Sequence, residues 1–165
     1  MFSRQQLYEL WNSDDLIGLG AAADTVRKRL HPSNIVTYTR GADQAIITRA
    51  FRTGESFEER VHALEEINAT DDVVAFRPTV EPSATGMQYL ETLALSRIIA
   101  GKVLHIQASY ELFGLKVAQL ALRFGADDLG ITNGQVTEEE MRRLIRDAGF
   151  VPKQRDALFR SYSLI

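Results

Sequence analysis

Apolar residues over the first thirty positions recur at helical spacing. Leu7, Leu10 and Trp11 make one stripe, and Leu16, Leu19, Ala23, Val26 and Leu30 make a second, with Asn12 or Ser13 placed to cap it. His31-Pro32 stops that helix, because proline disfavours the helical conformation at the residue before it. The period then shortens. Ile35 to Thr39 is β-branched and aromatic, Gly41 opens a turn, and Ala45 to Phe51 predicts a second strand. Ser56 with Glu59 forms a capping box ahead of Val61, Leu64 and Ile67, which predicts a helix. Val73 to Phe76, bounded by Pro78 and Pro82, fits a buried strand followed by a loop.

A helix starting at Ser83 or Thr85 and running to Ala100 carries Met87, Leu90, Leu93, Leu95 and Ile98, and Gly101 ends it. In the strand from Val103 to Ala108, His105, Gln107 and Ser109 share one face while Leu104, Ile106 and Ala108 share the other. Leu112 to Arg123 reads as helix, Asp128 to Thr132 as a last strand, and Thr137 to Asp147 as a helix capped by Thr137 and Glu140. Pro152 predicts a final helical segment, since proline suits a first helical position. Strands alternating with helices imply a parallel sheet covered by helices. Five strands suit an open doubly wound sheet and are too few for an eight-stranded barrel, so periodicity leaves the architecture open. One domain is expected over residues 1–165, with N-terminal helices over 1–34, strands and helices over 35–136, and C-terminal helices over 137–165.

Composition narrows the chemistry. The chain has no cysteine, so it offers no disulfide, thiolate metal ligand or cysteine nucleophile. A net charge of -3 provides no basic footprint for nucleic acid. No apolar run reaches the ~20 residues of a membrane helix, and the first fifteen residues carry no signal-peptide core, so no membrane contact and a cytoplasmic location are expected.

Particular runs carry a resemblance. Asp24 to Tyr38 (DTVRKRLHPSNIVTY), Ser56 to Val61 (SFEERV) and Ala84 to Leu90 (ATGMQYL) are three of them. The most specific are His105 to Tyr110 (HIQASY), Gly114 to Gly130 (GLKVAQLALRFGADDLG) and the closing stretch RLIRDAGFVP. Over roughly residues 14 to 160 the chain resembles the radical S-adenosylmethionine enzymes of the futalosine route to menaquinone, aminofutalosine synthase and the dehypoxanthine futalosine cyclase, and more distantly F420 synthase. The resemblance implies an α/β fold: a partial (β/α) barrel-like parallel sheet of about five strands, with covering helices and an N-terminal helical pair.

The departures bear on function. The family carries a CxxxCxxC motif for a [4Fe-4S] cluster, whereas here Thr37 to Ala42 passes almost directly to Ala45. The resemblance thus implies that the cluster loop and about half the barrel are deleted, with no cluster and no other cofactor expected. Gly130 to Gln135 replaces a methionine-rich acidic loop, and Phe51-Arg52-Thr53 stands where many members have a histidine. A non-catalytic ligand-binding or accessory subunit is the first expectation. A metal-free enzyme and a structural interaction subunit are the alternatives.

Ligands of parallel α/β proteins sit at the carboxyl ends of strands. That rule selects Tyr38, Arg40, Arg52, Arg77, Gln107, Ser109, Thr132 and Asn133, with His105 added from the polar row. The arginines suit a carboxylate or phosphate, or else pair with Asp and Glu of the chain itself. The row His105, Gln107 and Ser109 suits either ligand contact or structural hydrogen bonding. A nucleoside-like or carboxylated small molecule is the expected ligand. Open strand edges imply a partner: a homodimer, or docking on a related barrel enzyme. His31 reads as a helix terminator and His62 as a solvated residue; no histidine pair has metal-ligand spacing, so no metal site is expected. Asp127-Asp128 reads as a turn or cap, and Glu138 to Glu140 as a negative first helical turn.

Overall fold

Every strand pairing in the computed structural model is parallel. The structure describes residues 2–41, 43–133 and 135–162; Ala42 and Gly134, each inside a segment singled out above, and residues 163–165 lie outside them. In chain order the elements are α1 (Arg4–Asn12), α2 (Leu16–Leu30), β1 (Ile35–Thr39), β2 (Ile46–Phe51), α3 (Phe57–Ala69) and β3 (Ala75–Val80). There follow α4 (Gly86–Ile99), β4 (His105–Ile106), α5 (Gly114–Ala121), β5 (Asp128–Ile131), α6 (Glu138–Asp147) and β6 (Val151–Gln154).

Two three-stranded sheets form, ordered β5-β1-β6 and β2-β3-β4. A seam joins them: Gln107 bridges Asp128 in parallel, and the Ala108 and Asp127 amides donate to the Asp128 and Ile106 carbonyls at 2.9 and 3.0 Å. The strands therefore run β2-β3-β4-β5-β1-β6, a partial-barrel α/β arrangement. Val36, Phe51, Phe76, Val80, Ile106 and Leu129 face the helices, where Tyr89, Leu93 and Leu95 of α4 complete the core.

The caps follow the local sequence. Ser56 Oγ accepts from the Glu59 amide and the Glu59 carboxylate accepts from the Ser56 amide, the reciprocal pattern that satisfies two orphan donors. Thr85 with Gln88 repeats it, and Thr137 caps α6. The cap of α2 is Asp15 and not Asn12 or Ser13, its carboxylate accepting from the Gly18 amide at 2.9 Å.

The final helix expected from Pro152 is instead the strand β6. Val151 and Arg155 donate their amides to the Asn34 and Tyr38 carbonyls of the β1 side, so the missing donor of Pro152 points to the open edge, where proline is tolerated. β1 had a free side, and the tail fills it.

Only residues 40–45 separate β1 from β2, although a parallel crossover ordinarily takes a dozen or more. Within this connector Asp43 lies against the sheet face opposite the helices, contacting Gln107 of the β4 end at 2.8 Å and Arg155 beyond β6 at 2.7 Å. The Gln44 amide also donates to the Ala157 carbonyl. Asp43, Gln44 and the tail thus lie over the β4 and β6 part of the face that a full barrel would close upon itself, while Thr48 and Ala50 of β2 stay exposed on it.

Tyr89 gives the core a pH signature. Burial pushes its hydroxyl up to about 12, although its oxygen accepts from the Ser109 amide at 2.8 Å. An unfolded tyrosine ionises near pH 10, so alkali takes the proton from the unfolded chain first. Stability is expected to fall by roughly 2–3 kcal/mol between about pH 10 and 12 on this account. Alkaline urea titrations of Tyr89→Phe should lack that component; an identical slope in both proteins contradicts it.

Candidate functional site

A hydrogen-bonded row crosses all six strands on the face opposite the helices. Arg77 of β3 donates to Thr48 of β2 at 3.2 Å and to the Gln107 side-chain oxygen at 3.2 Å. Gln107 donates to Asp128 at 2.8 Å. The Asp128 carboxylate then accepts from Thr37 of β1 at 2.6 Å, from Arg155 at 2.6 and 2.8 Å, and from the Gly130 amide. Gly130 is required beside it: its φ is +78°, and a Cβ there would lie 3.1 Å from the Gln107 amide group.

At the carboxyl end of this row lies a cleft of about 170 Å³. Arg77, Gln107, Ser109, Tyr110 and Asn133 line it, with the backbone of β5 as its floor. Tyr110 donates to the Ile131 carbonyl at 2.5 Å, and Asn133 donates to the Tyr110 oxygen at 3.0 Å, which fixes the rim. Among the described residues, Arg77 has no carboxylate within ion-pair distance, in contrast to Arg49, Arg97 and Arg155.

The nine residues singled out from sequence thus separate. Arg77, Gln107, Ser109 and Asn133 meet in the cleft, while Thr132 lies beside it and donates its amide to the Thr39 carbonyl. Tyr38 does not reach it; the strand turns its ring to the helix side, where its hydroxyl lies 3.0 Å from both Glu138 and Arg142. Arg40 is exposed on the connector. Arg52 borders a separate hollow of about 140 Å³ with Trp11, Arg60 and Glu91. His105 sits at the opposite, amino-terminal end of β4.

Of the turn or cap role read for Asp127-Asp128, the Asp128 bond to the Gly130 amide two residues on is present, but neither residue caps a helix. Both are buried, and their adjacent positions point them to opposite sides of the strand. Asp127 Oδ1 accepts from Arg97 at 2.6 Å and from the Ile106 amide at 2.8 Å, while Oδ2 faces His105 Nδ1 at 2.6 Å. Burial alone would raise this carboxyl, but the His105 hydrogen bond and the Arg97 charge outweigh it and hold it well below the usual carboxylate range. His31 adds Nε2 at 3.5 Å from the same Oδ2. The ligand-type atoms of His31, His105 and Asp127 all lie within 4.8 Å of one another, a cluster that spacing in the sequence did not disclose.

The donor set does not fit an iron–sulfur cluster, because the chain has no cysteine. No helix among the described residues is long and apolar enough to cross a membrane.

Comparison with known proteins places this geometry. Residues 45–164 match the family described as the CofH/MqnC C-terminal region. The cyclic dehypoxanthine futalosine synthase of Halalkalibacterium halodurans is 30% identical over 138 residues, covering 68% of this chain and 36% of that protein. The 5-amino-6-(D-ribitylamino)uracil–L-tyrosine 4-hydroxyphenyl transferase of Methanothermobacter thermautotrophicus is 38% identical over 94 residues, covering 48% and 26%. The aminodeoxyfutalosine synthase of Streptomyces coelicolor is 36% identical over 91 residues, covering 46% and 24%. The chain thus spans about a quarter to a third of the length of these relatives. With the family match running from β2 through the tail, the chain belongs to the CofH/MqnC C-terminal-region family.

Proposed function

We propose that this chain is a cluster-free, non-catalytic member of the futalosine-type radical S-adenosylmethionine family that holds a small carboxylated or nucleoside-like molecule at the carboxyl ends of β3, β4 and β5. Arg77 carries the reading. Its guanidinium is anchored by neutral partners, Thr48 and Gln107, and keeps its charge available at the cleft. Arginine grips carboxylates through two parallel donors. A cleft of about 170 Å³ is smaller than the ~300–1,000 Å³ of sites that enclose whole drug-sized ligands. It suits the carboxylate end of a molecule whose remainder stays outside, against Tyr110.

The absence of thiolates in this chain supports the cluster-free part of the reading. Anaerobic reconstitution with iron and sulfide is expected to leave no [4Fe-4S] absorption and no cleavage of S-adenosylmethionine. A stoichiometric, oxygen-sensitive cluster on this chain contradicts the proposal.

A partner is part of the proposal. Among the described residues β2 is an edge strand paired with β3 alone, and Ile47 is exposed on it. An unpaired edge is a template for another strand. A second copy of this chain is the default occupant on grounds of symmetry, with docking on a related barrel enzyme as the alternative. Asp43 and the tail occupy the β4 and β6 side of the inner face, so the join is drawn at the open β2 side, where Thr48 and Ala50 are also exposed. Sedimentation should give a dimer mass that falls to monomer when Ile47 is replaced by lysine; a concentration-independent monomer contradicts this.

A further inference from the structure

We propose that His31, His105 and Asp127 bind one divalent transition-metal ion, zinc by ligand chemistry, at the amino-terminal end of the sheet. The site is separate from the cleft at the carboxyl ends and does not rest on the reading of that cleft.

Three different parts of the chain supply the donors. His31 is the residue that ends α2, His105 is the first residue of β4, and Asp127 immediately precedes β5. All three ligand-type atoms fall within 4.8 Å of one another. Two imidazoles with a carboxylate suit zinc and its neighbours, whereas magnesium and calcium call for oxygen ligands. Metal–ligand bonds of about 2.0–2.1 Å set tetrahedral ligand atoms roughly 3.3–3.4 Å apart. The His31 Nε2 to Asp127 Oδ2 separation is 3.5 Å, close to that edge. His105 Nδ1 lies 2.6 Å from the same oxygen, a hydrogen bond that opens by roughly 0.7 Å when an ion replaces the proton.

The surroundings orient the donors as supporting groups do in metal sites. Arg97 and the Ile106 amide hold the other oxygen of Asp127, which leaves Oδ2 turned to the histidines. The His105 ring is stacked on His31 at 5.1 Å and on Phe159 at 4.8 Å between centroids. The Leu104 carbonyl accepts from His31 Nε2 at 2.5 Å, and this hydrogen bond, like that of His105, gives way when an ion replaces the proton. On its remaining side His105 borders a cavity of about 340 Å³ with Thr37, Arg155 and Phe159, through which an ion and a water or anion can enter. Arg97 already offsets the charge of Asp127, so an anion from this cavity completes the neutralisation of the ion.

The test is a zinc titration of the full chain against a chromophoric chelator, with His31→Ala, His105→Gln and, as control, His62→Ala, whose imidazole is exposed on α3 beside Glu66. One ion per chain is expected, weakened about 10- to 100-fold in the His31 and His105 variants and unchanged in the control. Cobalt in place of zinc should show the intense visible bands of a four-coordinate site. If His105→Gln fails to fold, His31→Ala and the wild-type cobalt spectrum decide. No stoichiometric binding, binding unaffected by His31→Ala, or binding lost in His62→Ala overturns the proposal.

Discussion

Asp128→Ala is expected to destabilise the protein by about 3–5 kcal/mol in urea denaturation, because it strips the buried Arg155 guanidinium of its two-point carboxylate partner and leaves it Asp43 alone. Asp128 is fully buried and receives Arg155 through two nitrogens, together with Thr37, Gln107 and the Gly130 amide. It is the point at which β4, β5, β1 and β6 are tied on one face. A domain with a total stability of ~5–15 kcal/mol would be brought close to its limit. The double variant Asp128→Leu with Arg155→Met should recover part of the loss, since it removes the buried pair together while leaving Asp43 without Arg155. A loss below about 1 kcal/mol in the single variant, or no recovery in the double, contradicts this account.

Arg97→Met is expected to cost a similar ~3–5 kcal/mol, by a different route. Arg97 is fully buried in the last turn of the apolar helix α4 and donates to the Gly125, Val103 and Leu104 carbonyls and to Asp127. Methionine fills the volume but leaves the Gly125 and Val103 carbonyls without this donor and takes the arginine counter-ion from Asp127, which keeps the Ile106 amide and His105. Gly125 is tied to the same arginine, for its φ is +104° and a Cβ there would lie 2.7 Å from the Arg97 Cβ. Hydrogen exchange should localise the loosening to the loops before β4 and β5. Uniform exchange across the sheet, or a change under about 1 kcal/mol, contradicts the role given to Arg97.

What the sequence made legible was local. Ser56 with Glu59 and Thr137 with Glu140 signal helix starts through groups three residues apart, and both starts are observed, while the structure decides for Thr85 over Ser83 at the start of α4. The strand at Ile35 to Thr39 and the parallel architecture follow from β-branched runs alternating with helices. β6 was not legible, because Pro152 suits a helix start as well as an edge strand, and the free side of β1 decides between them. The same holds for the aspartates. A carboxylate pair after a glycine reads as a turn until Arg97 from α4 and Arg155 from the tail are brought to its two faces. Alternation along a strand was the available signal, since adjacent residues must face opposite ways. The row of His105 and Gln107 was legible as a row, but its division into an amino-terminal cluster and a carboxyl-terminal cleft depends on β4 being only two residues long.

The account rests most on Arg77 at the strand-end cleft, and native mass spectrometry of the protein isolated from its own cells tests that directly. The expected spectrum shows the chain carrying an anionic small molecule and no iron, with the adduct lost in Arg77→Leu while the fold is retained. A bare chain, or an adduct equally present in Arg77→Leu, would contradict the account.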